Sequence, residues 1–476
     1  MPIRRAHLAA QSPHGQLTAA LAELREEEGV PAAFPPAVEA EADRASAPGA
    51  ELDLREIPFA TLDPPGSRDL DQAFHLERRG RGGSGGFTVR YAIADLPGFV
   101  RPGGLVDAEA RVRGQTLYLP DGAVPLHPTV LSEDRASLLP DVDRTAYVWT
   151  VELDEAGAAG APRVERALIR SRARLDYPSA QRALDAGAAE GPLALLPELG
   201  GLRLEQERLR GGASLNLPDE EIVRAPDGYR IVSRLPLPVE EWNAQLSLLV
   251  GMAAGELMLA AGIGVLRTMP APEEPELRFF RDRVAALGLP WPAGLPYGEY
   301  LRAVPRDAPQ APAVLQAAGS LFRGADYAVF DGAPPEQSVQ AAIAAPYAHV
   351  TAPLRRLVDR WGLVVCEALC AGRAVPGWAR ESLPELPALM RASSARAGRL
   401  ASAALDRVEA ALLRDRVGEA FPAFVLEVRG DRARVQLQDP PVTAHCPAVG
   451  LAAGEQVRLR VLRADVPTGE IELAIA

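Results

Sequence analysis

Three aspartates crowd one short stretch, TLDPPGSRDLDQAF at residues 61 to 74: Asp63, Asp69 and Asp71, followed at once by Gln72. Carboxylates so close repel one another, so a fold keeps them only on a wet surface or around something positive. They follow a strand-like run, REIPFATLD, and sit in a Pro-Pro-Gly loop that lets their side chains converge. An EF-hand loop would need alternating oxygen ligands, a glycine at its sixth position and a late glutamate, and these are absent. A DxD phosphotransfer site would put an apolar strand directly before Asp69, where Gly66, Ser67 and Arg68 stand instead. The pattern better suits a phosphodiesterase in which paired divalent ions clamp the attacking and leaving oxygens of an in-line displacement. Loops rich in aspartate are also common as plain solvated turns, and spacing alone leaves that reading open.

A second constellation is YAHVTAPLRRLVDRWG at residues 347 to 362. Its apolar spacing through Leu357, Val358, Trp361, Val364 and Val365 predicts a helix opening at Pro353 and ending near Gly372. Arg355 and Arg356 would then lie in the first turn, where the helix dipole disfavours cations. Two arginines there make sense if an anion is bound by helix N–H groups and guanidinium together. The alternative is that Arg355 simply pairs with Asp359 one turn on. A third arginine set, in VERALIRSRARL, places Arg166, Arg170, Arg172 and Arg174 on one face of a strand and Ala167, Ile169, Ala173 and Leu175 on the other. Such a stripe is either a solvated face or a phosphate track, and the former is commoner.

Residues 1–52 read as short helices, Gln16 to Glu28 and Pro36 to Arg44. They form either a small helix-turn-helix, with Arg4 and Arg5 against a polyanion, or a packing arm. From 53 to 180 the alternation is β-type, as in FTVRYAIADL and AYVWTVEL. GRGGSGG, Gly80 to Gly86, reads as a flexible hairpin tip between strands. From 236 to 412 the periodicity is helical, with Leu246, Leu249, Val250, Ala253 and Leu257 in step and Gly262 as the stop. Residues 415–476 return to four or five short strands split by turns, which suits a small OB-type barrel. The expected fold is therefore α+β: a small helical N-terminal element (1–52), a catalytic domain of mixed or antiparallel sheet with packed helices (53–412), and a C-terminal OB-fold β-barrel (415–476).

Composition narrows the chemistry. The chain has 476 residues, 47% hydrophobic and 24% charged, as in ordinary globular proteins. All 51 basic residues are arginine, so lysine nucleophiles and Schiff bases are excluded. The net charge of −12 argues mildly against a protein coated in nucleic acid, yet leaves room for one basic channel. Cys366, Cys370 and Cys446, an odd number in a long chain, do not make a disulfide scaffold and read as buried thiols. The run Leu246 to Leu266 could span a bilayer by length. Its four glycines and central Glu256 favour a buried core helix. The first residues lack the apolar core of a signal peptide, and a cytoplasmic protein without membrane partners, acting as a monomer, is expected.

Taken in order, LDPPGSRDLDQAF, YAIADLPGFV, the long stretch from Asp107 to Arg144, IRSRARLDY, PVEEWN and YAHVTAPLRR resemble the catalytic domain of the ribonuclease II / ribonuclease R (RNB-domain) exoribonucleases over roughly residues 53 to 400. The terminal barrel resembles their S1-type RNA-binding domain. The resemblance implies Mg²⁺-dependent (or Mn²⁺-dependent) 3′→5′ hydrolysis of single-stranded RNA with a free 3′ end, releasing 5′-nucleoside monophosphates. It implies that Asp63, Asp69 and Asp71 ligate the metal and orient water, and that Arg355 steadies the scissile phosphate. Tyr118 would close on the 3′ end, and Tyr177 and Glu241 would grip terminal riboses, whose 2′-OH marks RNA. His349, Thr351, Arg356 and Gln72 would add RNA contacts.

The chain also departs from that pattern. Gln72 stands in the place of a fourth aspartate, which favours an alternative: a catalytically inactive RNA-binding relative. Ala352 and Leu357 stand where Ser and Tyr are usual, and Thr268 where His is common. Residues 1–52 are too few for the two cold-shock barrels that usually precede the domain, from which a more open entrance is expected. A remote third reading is an unrelated metal phosphohydrolase acting on small phosphoesters.

Overall fold

The computed structural model describes residues 15–476 apart from 32, 81–84, 214, 216–218, 226–227, 306–307 and 309. Arg4 and Arg5 and most of the glycine-rich tip lie outside the described residues.

The alternating segments build a six-stranded sheet from β1 (Leu52–Asp53), β2 (Phe59–Asp63), β3 (Gln72–Arg78), β4 (Phe87–Ala94), β7 (Asp143–Leu153) and β8 (Arg163–Asp176). A small hairpin, β5 (Leu117–Leu119) with β6 (Gly122–Val124), intervenes in sequence. Strand β8 is shared. Its first half runs antiparallel to β7, from Arg163 opposite Thr150 to Arg170 opposite Asp143. Its second half runs parallel to β2, from Ser171 opposite Phe59 to Asp176 opposite Asp63. The sheet therefore curls until its strands β2-β3-β4-β7-β8 close on one another. One face buries Phe74, Tyr91, Trp149 and Val151 against helices; the other buries Phe59, Ala73, Ala92 and Ile169.

Helices α1 (Gly15–Glu27) and α2 (Pro36–Arg44) do not share a core as a helix-turn-helix would. Leu17, Leu21 and Leu24 of α1 pack on Leu400, Ala404 and Val408 of the long C-terminal helix Leu386–Leu413. Val38 and Ala42 of α2 join the sheet core. Glu41 of α2 accepts from the amides of Leu105 and Val106, both at 3.1 Å, satisfying the open first turn of α4 (Leu105–Arg113). The N-terminal helices are thus a packing arm. The short helix α3 (Leu96–Phe99) precedes α4, and α5 (Tyr177–Asp185) and α6 (Pro192–Arg210) follow β8.

Helix α7 (Pro238–Ala261) is the apolar one, long and hydrophobic enough to cross a membrane by length and composition. Gly262, in the left-handed region at φ 73°, ends it, and the apolar run continues as a strand, Ile263–Thr268. The glycines inside α7 allow close packing. A Cβ at Gly251 would lie 2.1 Å from the Tyr347 ring, and one at Gly255 would lie 2.8 Å from the Tyr347 amide. The chain around Tyr347 therefore lies flat on the helix, with Ala348 N–H donating to Gly251 O at 2.9 Å. That contact carries the next few residues, including Arg355, toward the aspartate loop.

The C-terminal segment forms five antiparallel strands, Ala420–Arg429, Arg432–Leu437, Thr443–Pro447, Gln456–Asp465 and Glu470–Ile475, in a nearly closed barrel whose edge strands are the third and fifth. Its core includes Phe421, Val425, Val435, Leu459 and Leu473. The Arg283 guanidinium donates to Leu426 O, and Glu409 accepts from Thr443 N–H at 3.0 Å, so the barrel is docked on the helices.

Candidate active site

The loop from Asp63 to Gln72 has a defined shape. Pro65 and Gly66 are the central pair of a turn closed by Ser67 N–H to Pro64 O at 3.2 Å, and Gly66 has φ +84°, as a type II turn requires. Ser137, from the long stretch quoted above, fixes the far limb. Its hydroxyl donates to Arg68 O at 2.6 Å and accepts from Leu70 N–H at 3.0 Å. Leu138 N–H then donates to Leu70 O at 3.0 Å.

These constraints gather the aspartates in one crowded region. Asp63 ends β2 and is half-buried; one of its oxygens, Oδ2, is buried with no hydrogen-bond partner. Burial, then the charge of Asp69, push Asp63 up to about 7, despite Arg355 and Arg174 nearby. Burial also raises Asp69. Asp71 is 3% exposed; its Oδ1 accepts from Leu354 N–H at 2.8 Å and its Oδ2 from Arg355 Nε at 3.3 Å. Burial pushes Asp71 up to about 8 in spite of those two donors.

Arg355 and Arg356 are not in a helix. Helix Asp359–Cys370 begins three residues later, because residues 352–357 form turns cross-linked to the chain before β5. Thr116 N–H donates to Arg355 O at 3.0 Å and Leu357 N–H to Gly114 O at 3.1 Å. The Asp359 pairing expected of Arg355 is made instead by Arg356, at 2.9 Å, with Asp359 fully buried. Arg355 reaches across the fold to Asp71 and keeps 37% of its side chain exposed. Of the two arginines it is the more exposed, against 20% for Arg356.

Tyr118, half-buried on β5, lies close enough to Arg355 to interact electrostatically. Tyr177 opens α5 and Glu241 lies in the first turn of α7. Asn243, which sequence reasoning did not single out, donates from Nδ2 to Tyr177 Oη and to Leu62 O, both at 3.3 Å, tying Tyr177 to β2.

The other expected RNA contacts are hydrogen-bonded within the protein. Thr351 is 2% exposed; its hydroxyl bonds Ser247 at 2.9 Å and Arg356 Nη2 at 3.4 Å. His349 Nδ1 bonds Tyr327 Oη at 2.7 Å, and burial depresses its pKa well below the usual imidazole range. Gln72 donates to Thr351 O at 2.6 Å and accepts from Tyr91 Oη at 2.7 Å. Thr351 is buried, whereas Gln72, His349 and Arg356 are part-exposed and bond one another's neighbours beside Arg355.

The arginine stripe also divides. Arg166 pairs with the buried Asp95, Arg170 with Asp143 at 2.6 Å, and Arg172 donates to Arg55 O at 2.7 Å. The β2–β8 register skips Arg172, pairing Phe59 with Ser171 and Ala60 with Ala173, so alternation breaks there. Arg174, exposed opposite Thr61, remains near Asp63.

Among the described residues, no group of three or more His, Cys, Asp or Glu side chains is gathered closely enough to hold a metal ion. Both Asp71 oxygens accept hydrogen bonds, from Leu354 N–H and Arg355 Nε. The unpartnered Asp63 oxygen and the neighbouring, raised Asp69 nevertheless fit a divalent cation, which would remove the repulsion between them.

Comparison with known proteins agrees with this geometry. The RNB domain matches residues 51–365, and the RNase II-type exonuclease C-terminal S1 domain matches residues 419–476. Ribonuclease R of Escherichia coli is 31% identical over 334 residues, covering 65% of this chain and 39% of that protein. The chain thus spans about two-fifths of the length of the curated relatives it matches first. Mycoplasma genitalium RNase R in complex with ribose-methylated single-stranded RNA superposes with TM-score 0.87 at 18% identity, covering 97% of this chain and 78% of that one. Yeast Ssd1, described as a pseudonuclease, gives TM-score 0.69 at 14% identity, covering 95% and 59%. With an RNB-domain match over more than half its length, this chain belongs to the RNB-domain family.

Proposed function

We propose that the protein is a divalent-metal-dependent 3′→5′ exoribonuclease that hydrolyses single-stranded RNA to 5′-nucleoside monophosphates in the cytoplasm as a monomer. The observation that carries this reading is the junction of Asp71 with Arg355, residues 284 positions apart, beside an Asp63 oxygen left without a partner. A part-exposed guanidinium beside raised, under-compensated carboxylates suits an incoming phosphodiester and its cation.

Asp63 and Asp69 would hold Mg²⁺, which, when bound, neutralises phosphate charge and favours ionisation of the attacking water. Asp71 keeps the Leu354–Arg355 turn in place, so that the exposed guanidinium edge donates to the scissile phosphate. Tyr118 would stack on the terminal base, and Tyr177 and Glu241 would recognise the ribose hydroxyls of the 3′ end. Relatives described as RNase R in complex with single-stranded and with double-stranded RNA support an RNA substrate.

The test is a 5′-labelled single-stranded RNA incubated with Mg²⁺ or with EDTA, alongside Asp71→Asn. The expected result is a ladder shrinking from the 3′ end, lost in EDTA and in the variant. Bound but intact RNA would instead establish the second reading, a non-catalytic RNA binder, which Gln72 in the place of a fourth carboxylate favours.

A further inference from the structure

Gln72 is the residue whose place in the site is least explained by metal chemistry. It opens β3 directly after Asp71, and Tyr91 lies diagonally across on β4, since Gln72 pairs with Ile93 and Phe74 with Tyr91. The Gln72 amide is used at both ends: Oε1 accepts from Tyr91 Oη at 2.7 Å, and Nε2 donates to Thr351 O at 2.6 Å. Tyr91 is 1% exposed and Thr351 2%, so both partners of the part-buried Gln72 amide lie in the interior. Thr351 is the start of the turn that carries Arg355. Three residues on, Leu354 N–H donates to Asp71 Oδ1. The turn is thus pinned to the aspartate loop at two consecutive residues, by the Gln72 amide at its beginning and the Asp71 carboxylate at its middle.

A carboxylate at position 72 could not make this bridge. Its oxygen would face the Thr351 carbonyl oxygen at hydrogen-bond distance with no proton between them, in a buried setting where unpaired polar groups are costly. Of an ionised carboxylate and an amide, the amide alone both accepts from the tyrosine and donates to the carbonyl. Thr351 has its own fixed neighbours, Ser247 on α7 and Arg356, and Ala352 N–H donates to Asp359 Oδ1 at 2.7 Å. A shift of Thr351 would be passed to Arg355 through a rigid turn.

We propose that Gln72, with Tyr91, is a positioning residue: its amide clips the Thr351 carbonyl and thereby fixes the Arg355 guanidinium over Asp71, making Gln72 a protein cross-link rather than a metal ligand. The proposal rests on the exoribonuclease reading above. It gives the glutamine a role in an active enzyme, where its presence would otherwise speak for an inactive one.

The test uses the full chain and three variants, Gln72→Leu, Gln72→Glu and Tyr91→Phe, measured for RNA shortening and for Mn²⁺ binding followed by electron paramagnetic resonance. Loss of alignment at a reacting centre is worth up to about 100-fold, so Gln72→Leu and Gln72→Glu are expected to lower kcat by about 10- to 100-fold, with KM for RNA changed less than about threefold and Mn²⁺ affinity retained. Tyr91→Phe removes one oxygen and leaves the fold intact; its loss in kcat is expected to be smaller and non-additive with that of Gln72→Leu. Variants that cut RNA as fast as the unaltered chain overturn the inference, and so does Mn²⁺ affinity falling in step with kcat, because that makes Gln72 a ligand. An unaltered chain that does not shorten RNA overturns the exoribonuclease reading and this inference with it. An active unaltered chain with indifferent variants overturns the inference alone.

Discussion

Asp107 and Asp71 are both buried acids that face an arginine, and they end in opposite states. Asp107 meets Arg360, which is 1% exposed, and also accepts from Gly103 N–H at 2.8 Å and Arg111 Nε at 3.3 Å. Burial would raise its pKa, but these donors outweigh it and hold the carboxyl below the usual range. Arg360 donates in turn to Val100 O at 2.8 Å, while its buried Nε has no hydrogen-bond partner. Asp71 has fewer donors, its arginine is partly in solvent, and other acids stand nearby, so burial wins and it is pushed up to about 8. The difference teaches that a buried acid's state depends on how many donors meet it, not on having one arginine beside it. The two ion pairs look alike as distances and differ in what completes them.

Four measurements would break or sharpen that contrast. The largest effect is expected at Arg355. Replacing it with alanine should lower kcat on single-stranded RNA by about 100- to 1,000-fold, as loss of one transition-state donor does elsewhere, with little change in melting temperature. If the two pairs were equivalent, Arg355→Ala would unfold the protein instead.

Next comes Asp107→Ala, which strands Arg360 in the interior; breaking a buried pair from one side costs about 3–5 kcal/mol, readable by urea unfolding. Asp71→Asn should leave stability unchanged or raised under the same conditions, because it removes an acid that is costly to ionise in place.

The third concerns pH. Native Asp63 and Asp71 titrate near 7 and 8, against about 3.9 in an unfolded chain. Between these values the native state holds more protons than the unfolded state, so stability in EDTA should fall as pH rises from about 4 to 8. Asp63→Asn should flatten this slope. Excess Mg²⁺ should flatten it too, since a cation at Asp63 and Asp69 stabilises the ionised forms. A melting temperature that rises with pH over this window in EDTA would contradict the assignment of the site as under-compensated.

The smallest effects belong to the arginine strand. Arg170, paired at the surface with Asp143, should change stability by less than about 1 kcal/mol and RNA affinity not at all when replaced by alanine. Arg174→Ala should weaken RNA binding and reduce the magnitude of its logarithmic salt dependence by about one. Equal effects from both would restore the continuous phosphate track.

The acidic loop was legible because its signal is local: three aspartates around a Pro-Pro-Gly turn, after a strand. Helix α7 and its Gly262 stop were legible for the same reason, and so was the terminal barrel. The start of the helix at Asp359 was not, since residues 352–357 are held in turns by bonds to residues 114–116, a partner no local pattern reveals. Nor was the division of labour between Arg355 and Arg356. Either could reach an acid in sequence, and only the fold brings Asp71 to the first and leaves Asp359 to the second. The arginine stripe misled because a strict two-residue period hides the irregularity at Arg172. Asn243 and Tyr91 lie in stretches the sequence did mark, PVEEWN and FTVRYAIADL, but nothing local shows their bonds to Tyr177 and Gln72.

The sharing of β8 has a consequence for how the chain is made. Strand β2 finds its parallel neighbour only when residues 171–176 exist, more than a hundred residues after Phe59. At about 5–20 residues per second, that gap corresponds to a wait on the order of 5–20 seconds on a ribosome. During it Asp63, at the end of β2, has no wall behind it. Chains stalled before residue 163 should be cut readily by protease within residues 59–78, and chains stalled well past 176, with that segment clear of the exit tunnel, should resist. The acidic pocket is then among the last parts of the sheet to form during synthesis, and a nascent chain carries its acids long before the strand beside them exists.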